Sequence, residues 1–255
     1  MPRENSERRI GLARTLSKLG FCSRSRAYDL IRAGRVALNG RTCRNPESPV
    51  RIGKDKITVD QWPVYASAKR YIVLNKPRGL ITTARDEKGR ATVFDCLPGD
   101  MKRLSPVGRL DKASEGLLLL TNDSEWAARI LDPETRLEKR YHVQIGTAVT
   151  EETVRNVLRG VRTGRGEILR VKAARALRIG NKNIWLEIVL DEGKNRQIRR
   201  IFESLGIEVL RLVRVAIGPL KLGDLKKGES RELLGEEKAM IDNALRVSGS
   251  RDAKP

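Results

Sequence analysis

The sequence predicts an α+β protein in two parts: a small basic N-terminal domain, then a larger domain whose mixed, mainly antiparallel β-sheet is flanked by helices. Three observations carry that prediction. Residues 1–60 hold 14 Lys/Arg against 6 Asp/Glu and alternate short helical and strand patterns around glycine stops. The patterning lapses over 61–69, at Trp62-Pro63. From residue 71 onward, apolar runs of strand length recur between turn signals, with helical periods separating them. The expected bounds are 8–60 for the first domain, 61–69 for a linker, 70–245 for the second domain and 246–255 for a disordered tail.

Taken in order, residues 1–8 read as a polar tail. From Ile10 the pattern turns helical, with Leu12, Leu16 and Leu19 at spacings of four and three as far as Gly20. Ser23 is placed to cap a second helix carrying Ala27, Leu30 and Ile31, which Gly34 stops. Residues 36–38 and 41–43 make a hairpin around Asn39-Gly40, a favoured two-residue turn, and another strand is expected at 56–60.

In the larger part, YIVLN at 71–75 is an apolar strand that runs into the turn KPRG. Residues 84–103 read as a long basic loop with a brief helix near 93–97. The stretch GRLDKASEGLLLLTND at 108–123 opens on a tight turn and closes on polar residues. Its short, wholly apolar run at 117–120 predicts a strand buried on both faces, with Asp111 held in the loop before it. Ser124 can cap a helix over 125–131, and LEKRYHVQI at 137–145 alternates as a strand. Thr150 is placed to start a helix through Leu158, ended by Gly160. Residues 168–178 and 184–190 read as antiparallel strands around 180–183. Asn195 is the expected cap of a helix whose apolar face is Ile198, Ile201, Phe202 and Leu205. Arg196, Arg199 and Arg200 fall outside that face.

Composition narrows the chemistry. The chain has 52 Lys/Arg against 32 Asp/Glu, a formal charge of +20, which favours a polyanionic partner and nucleic acid first. No apolar run approaches the roughly 20 residues that span a bilayer, and no apolar core follows the charges of the first residues, so neither a membrane partner nor a secretory signal is expected. Cys22, Cys43 and Cys96 are odd in number and contain no CxxC pair, which fits a reducing cytoplasm and neither a disulfide framework nor a zinc finger. A single histidine, His142, cannot build a His-rich metal site and restricts any Ser-His-Asp triad to itself. With no GxxxxGK[ST] and no GxGxxG, no nucleotide or dinucleotide cofactor is expected.

With these residues in view, 108–123 resembles the catalytic motif of pseudouridine synthases of the ribosomal-RNA branch, the RsuA/RluB-like family, whose pattern is GRLDxx(T/S)xGLLLxTND. LNKPRGL at 74–80, LEKRYHVQI at 137–145 and NRQIRRIFESLG at 195–206 resemble further family motifs in the same order. SRSRAYDLIRAGRVALNG at 23–40 resembles the alpha-L RNA-binding module found at the N-terminus of that family. The chain departs from the family at 132–141, where DPETRLEKRY stands for the more usual HPRYEVEKxY.

The resemblance implies a catalytic domain that isomerises uridine to pseudouridine in ribosomal RNA, without cofactor or metal. Asp111 would be the catalytic carboxylate, Tyr141 the ring that stacks on the uracil, Arg199 the partner of Asp111, and Ile198 the apolar floor. Arg109, Lys76, Lys139, Asn195 and Arg196 would contact the substrate, with Lys76 in a turn suited to phosphate. Arg24, Arg26, Arg32 and Arg35 would grip RNA through its phosphates. NRQIRR leans towards large-subunit (23S) RNA; small-subunit (16S) RNA, transfer RNA, or a non-catalytic role in ribosome assembly are the alternatives. The implied setting is the cytoplasm, with a monomer acting on free RNA or on pre-ribosomal particles. Whether Asp111 attacks as a nucleophile or works through a glycal-type route stays open.

Overall fold

The computed structural model describes residues 9–249 except 84, 85, 87, 100, 102, 103, 147–150, 165, 181 and 182. The expected tail at 1–8, the Thr150 cap, the middle of the 180–183 turn and the last six residues therefore lie outside the described residues. The chain divides into two compact units: residues 1–71 with 103–105 and 121–126, and residues 72–102 with 106–120 and 127–255.

In the first unit, β1 (Ile10–Gly11) leads into α1 (Leu12–Lys18), and Gly20 ends that turn at φ +73°. The helix thus starts two residues later than its periodicity suggests, because Ile10 and Gly11 pair with β4 (Pro49–Val50). Ser23 does cap α2 (Arg24–Arg32): its Oγ accepts from the Arg26 amide at 3.3 Å. β2 (Val36–Leu38) and β3 (Arg41–Cys43) form the expected hairpin, and β2 also pairs with β5 (Ile57–Val59). The core is Leu12, Leu16, Leu30, Ile31, Val36 and Val59, with the small Ala13 and Ala27 letting the two helices approach. Trp62 and Pro63 do not break regular structure as expected. They form β6 (Trp62–Pro63), paired to Val59 and Thr58; on the edge of a sheet a proline's missing N–H leaves no ladder bond unmade.

In the second unit, one sheet runs β13-β14-β10-β15-β9-β7-β17, with β8 beside β9 and β16 beside β15. In chain order these strands and their helices are β7 (Tyr71–Lys76), β8 (Ser105–Val107), β9 (Glu115–Thr121), α3 (Ser124–Leu131), β10 (Lys139–Ile145) and α4 (Glu151–Arg159). There follow a small separate pair, β11 (Val161–Arg162) and β12 (Ile168–Leu169), then β13 (Ala173–Ile179) and β14 (Ile184–Leu190). The chain ends with α5 (Gln197–Ser204), β15 (Val209–Ile217), β16 (Leu220–Lys221), β17 (Ser230–Glu232) and α6 (Gly235–Gly249). The pairs β10–β14, β10–β15, β13–β14, β15–β16 and β7–β17 are antiparallel and β9–β15 is parallel, so the sheet is mixed. Every residue of β9 is buried, which is why its run is apolar rather than alternating. Ile198, Ile201 and Phe202 of α5 share a core with Val143 of β10, Ile188 of β14 and Leu212 of β15, so α5 packs against the sheet that carries Lys139 and Tyr141.

Four further expectations shift. The strand expected over 168–178 is two strands, because Val171 turns into the core and its amide reaches the Val157 carbonyl instead of a sheet neighbour. The cap of α3 is Asp123, whose Oδ1 accepts from Glu125 and Trp126, not Ser124. Asn195 does not cap α5; Arg196 does, in the left-handed region at φ 49°, with no side-chain bond. The C-terminal tail is helical as far as Gly249, since α6 covers 246–249.

Candidate active site

The loop 108–114 is fixed by its backbone. Gly108 turns at φ +75°, and the five carbonyls that follow Arg109 each accept a hydrogen bond. The Leu110 carbonyl accepts from Thr82 Oγ1 at 2.7 Å, and the Leu110 amide donates back to that hydroxyl at 3.2 Å. The Asp111 carbonyl accepts from the Ser114 amide at 2.9 Å and from Lys76 Nζ at 3.2 Å. Lys112 accepts from the Gly79 amide at 2.8 Å, Ala113 from Arg199 Nη2 at 2.9 Å, and Ser114 from Lys76 Nζ at 2.8 Å. Immediately beyond, the buried Glu115 carboxylate takes both prongs of Arg211 at 3.0 Å and an ion pair from Lys227. Burial alone would raise the Glu115 pKa; those two cations outweigh it and hold the group below the usual carboxylate range.

Lys76 is therefore not a phosphate contact. It is 0 % exposed at the end of β7, and its ammonium serves the Pro77, Asp111 and Ser114 carbonyls. Burial pushes its pKa down to about 8, with Asp111 and Glu115 opposing the shift.

The Asp111 side chain stands in the wall shared by two concavities, a cleft of about 580 Å³ and a shallower one of about 410 Å³; Arg109 and Asn195 line both. Tyr141, Ile198, Lys139 and Arg196 line the larger cleft with it. Tyr141 stands opposite Arg214 of β15, just past a register shift in which Val215 is the extra, unpaired residue of β15, a bulge that alters side-chain direction beside the cleft. Ile198 is buried at the cleft wall. Lys139 is half-buried, and its pKa is pressed down by burial and then by the Arg214 charge.

The expected pairing of Arg199 with Asp111 is absent. The cation nearest the carboxylate is Arg196, Nη1 to Oδ2 at 3.7 Å, both side chains partly exposed. Arg196 precedes α5 in a left-handed turn and its side chain lines the cleft, while Arg199 lies within the first turn of α5 and does not. Arg199 bonds the Ala113 and Val209 carbonyls, the latter at 3.2 Å, and keeps a buried Nε without a hydrogen bond. Burial, helped by Arg196 and Arg78, lowers its pKa, with Asp111 pulling upward. Arg200 belongs elsewhere, in an ion pair with Glu167 at 2.7 Å.

Thr82, Arg214 and Gln197 went unnoticed in the sequence. Thr82 holds Leu110 from a loop with no periodicity of its own. Arg214 sits in a largely apolar strand that holds a second arginine, Arg211, and nothing in the local pattern distinguishes the buried one. Gln197, also at the cleft, is buried and donates to the Arg170 carbonyl at 2.9 Å and to Glu192 at 2.5 Å.

In the N-terminal unit Arg24, Arg26, Arg32 and Arg35 are all exposed. Arg24 lines a concavity with Arg9, Arg14, Tyr28 and Glu47, and Arg32 lies over the Tyr28 ring at 5.8 Å. Arg35 differs from the others, since both prongs of its guanidinium are held by Asp60.

Comparison with known proteins gives this arrangement its class. Residues 70–204 match the family described as RNA pseudouridylate synthase, and residues 10–57 match the S4 domain. The chain is 38 % identical over 237 residues to an uncharacterized RNA pseudouridine synthase of Aquifex aeolicus, covering 92 % of this chain and 95 % of that protein. It is 36 % identical over 229 residues to a protein of Bacillus subtilis named ribosomal large subunit pseudouridine synthase B, covering 89 % and 93 %. A crystal structure of a pseudouridylate synthase superposes with a TM-score of 0.64 at 29 % identity, over 91 % of this chain and 99 % of that one. Fold and site together define an enzyme that modifies RNA, with an RNA-binding domain in front of its catalytic domain. The chain belongs to the pseudouridine synthase family, in its RsuA/RluB-type branch with an N-terminal S4 domain, and is an isomerase acting on RNA.

Proposed function

We propose that the enzyme isomerises a uridine of large-subunit ribosomal RNA, with Asp111 as the catalytic carboxylate. The observation that carries the assignment of Asp111 is the row of bonded carbonyls from Leu110 to Ser114, which ties its backbone down while its carboxylate faces the cleft beside Arg196. The large-subunit target is supported by the name of the Bacillus subtilis relative, which matches 89 % of the chain. On this reading a single copy of the chain meets free rRNA or a pre-ribosomal particle in the cytoplasm.

Pseudouridine formation opens the C1′–N1 bond, turns the base and closes a C1′–C5 bond. The base must first leave its stack, at a cost on the order of a few kcal/mol. Tyr141 receives it on its ring and Ile198 lies beneath it, so stacking lost in the RNA is partly regained in the cleft. Arg109 and Arg196 at the exposed rim, with Asn195 beside them, hold the adjoining backbone phosphates, and the exposed arginines of the S4 domain add sequence-independent affinity. Asp111 acts at the ribosyl carbon or its neighbouring proton, and Arg196 keeps a positive charge beside it. Arg199 takes no direct part: it positions Asp111 through the Ala113 carbonyl.

The test is a map of pseudouridines in ribosomal RNA from a strain lacking the gene. One large-subunit position is expected to revert to uridine, and to be restored by the wild-type gene but not by Asp111→Asn. Loss confined to small-subunit or transfer RNA would overturn the target.

A further inference from the structure

Arg214 has no part in the reading above. It stands on β15 opposite Tyr141, is 6 % exposed, and lines the larger cleft. Its Nε donates to the Leu117 carbonyl at 2.8 Å, while Nη2 is buried without a hydrogen-bond partner. A guanidinium carries five N–H donors and cannot shed its charge, so a buried one with a bare nitrogen lacks an acceptor. Neighbouring charge deepens the deficit, since Lys139 borders the same cleft and feels the Arg214 charge, with Asp191 the carboxylate that opposes it. The buried walls around them include Ile198, Leu212 and Ile217. A phosphate would meet the exposed Arg109, Lys194 and Arg196 first. A buried donor between apolar walls suits a flat ring edged by a carbonyl oxygen.

We infer that Arg214 Nη2 binds a carbonyl oxygen of the target uracil and stabilises the negative charge that the base acquires as its glycosidic bond opens. The inference rests on the larger cleft being the uridine site. When C1′–N1 breaks, its electron pair stays with the base and spreads over N1 and the carbonyl oxygens. Closing the C1′–C5 bond returns a pair to C1′; the C5 proton is then lost and N1 gains one, so the product is an isomer and no other reagent is needed. The carbonyl oxygens carry most charge in the middle of this sequence. A fixed buried cation therefore favours that stage over the neutral uridine, and Lys139 adds to the same field.

The test measures single-turnover conversion of RNA carrying uridine, 2-thiouridine or 4-thiouridine at the target position, by the wild type and by Arg214→Lys. Sulfur accepts hydrogen bonds poorly, and a bond to a charged donor corresponds to roughly tenfold to hundredfold in rate. One of the two thio substitutions is expected to slow the wild type by that factor, with RNA affinity changed less than threefold. Arg214→Lys is expected to slow the uridine substrate comparably and to be nearly insensitive to the same thio substitution, as two changes to one contact should be. If neither thio substitution slows the folded wild type, the inference fails, whatever the fold of the variant. It also fails if the thio effect is as large in Arg214→Lys, because the oxygen then has another donor. Failure of the parent reading shows separately, as no turnover of the unmodified RNA.

Discussion

Lys76 Nζ donates to the carbonyl of Ser114 at 2.8 Å and to that of Asp111 at 3.2 Å, so one buried ammonium clasps both ends of the turn that carries the carboxylate. Methionine would fill much of the same volume and remove this donor from both carbonyls, leaving the Asp111 one only the Ser114 amide, at about 1–3 kcal/mol for a group left unsatisfied. Lys76→Met is expected to fold and to bind RNA within threefold of wild type. Its single-turnover rate should fall at least tenfold, since small misplacements of a reacting group are expensive in rate. An unchanged rate would remove Lys76 from the positioning of Asp111.

The same lysine gives a pH signature. Its pKa in the folded protein is about 8, against an ordinary value of 10.5. Between those values the unfolded chain keeps a proton that the folded protein has released, so this group's contribution to stability rises with pH across that window. Wild type should therefore gain on Lys76→Met between pH 8 and 10. Urea midpoints of both proteins measure the gap at each pH, and a gap that stays constant or narrows contradicts the assignment.

Gly116 admits no side chain. It has φ +104°, and a Cβ there would lie 2.3 Å from the Arg214 carbonyl oxygen, at the parallel contact between β9 and β15. Gly116→Ala is expected to destabilise the protein by at least ~3 kcal/mol, because backbone strain and a backbone clash act together. Gly223 has φ +60° with open space around it, so Gly223→Ala should cost about 1 kcal/mol. Chemical denaturation of the two variants compares them directly, and equal losses would point to φ alone.

Arg196 and Arg199 should separate kinetically. The Arg196–Asp111 pair is partly exposed, so Arg196→Ala is expected to lower the single-turnover rate only a few-fold and to weaken RNA binding in a way that added salt imitates. Arg199→Ala frees the Ala113 carbonyl, and its larger rate loss should persist at saturating enzyme. Arg199→Lys should recover part of it through one retained donor. The reverse ranking at saturating enzyme would return Arg199 to a mere surface role.

The four exposed arginines of the S4 domain are not equivalent. Changing Arg24, Arg26 or Arg32 to Gln should each reduce the slope of log affinity against log salt by up to about 0.7–0.9. Arg35 is already paired with Asp60, so Arg35→Gln should alter the slope less than the others. Filter-binding titrations from low to moderate salt distinguish the two patterns.

Where local chemistry decides an element, the sequence predicts it well. The apolar run of β9, the Asn39-Gly40 turn and the Ser23 cap are each set by residues within a few positions of one another. What stayed hidden depends on single backbone angles or on distant partners. Arg196 faces Asp111 from a left-handed turn just before α5, and periodicity cannot report such a turn. KPRG looks like a charged surface turn, and nothing nearby shows that Lys76 is enclosed, because two of its three acceptors lie 35 and 38 residues downstream. Asp123 and Ser124 are both good caps, so only geometry could choose between them. At the site, the motifs located Asp111, Tyr141 and Ile198 at one cleft, but assigned Lys76 and Arg199 to the wrong contacts.

The bonded carbonyls from Leu110 to Ser114 also determine which molecule has to deform. A carboxylate on a mobile loop can travel to its target and adapt to many shapes. A loop tied at every peptide to the sheet and its neighbours gives the enzyme little room to adapt, so the whole rearrangement falls on the RNA. Selection then acts on how readily each uridine leaves its stack. On the proposed reading, an enzyme whose catalytic loop is tied in this way is expected to favour uridines in bulges and loop ends over equally exposed ones held in continuous helices.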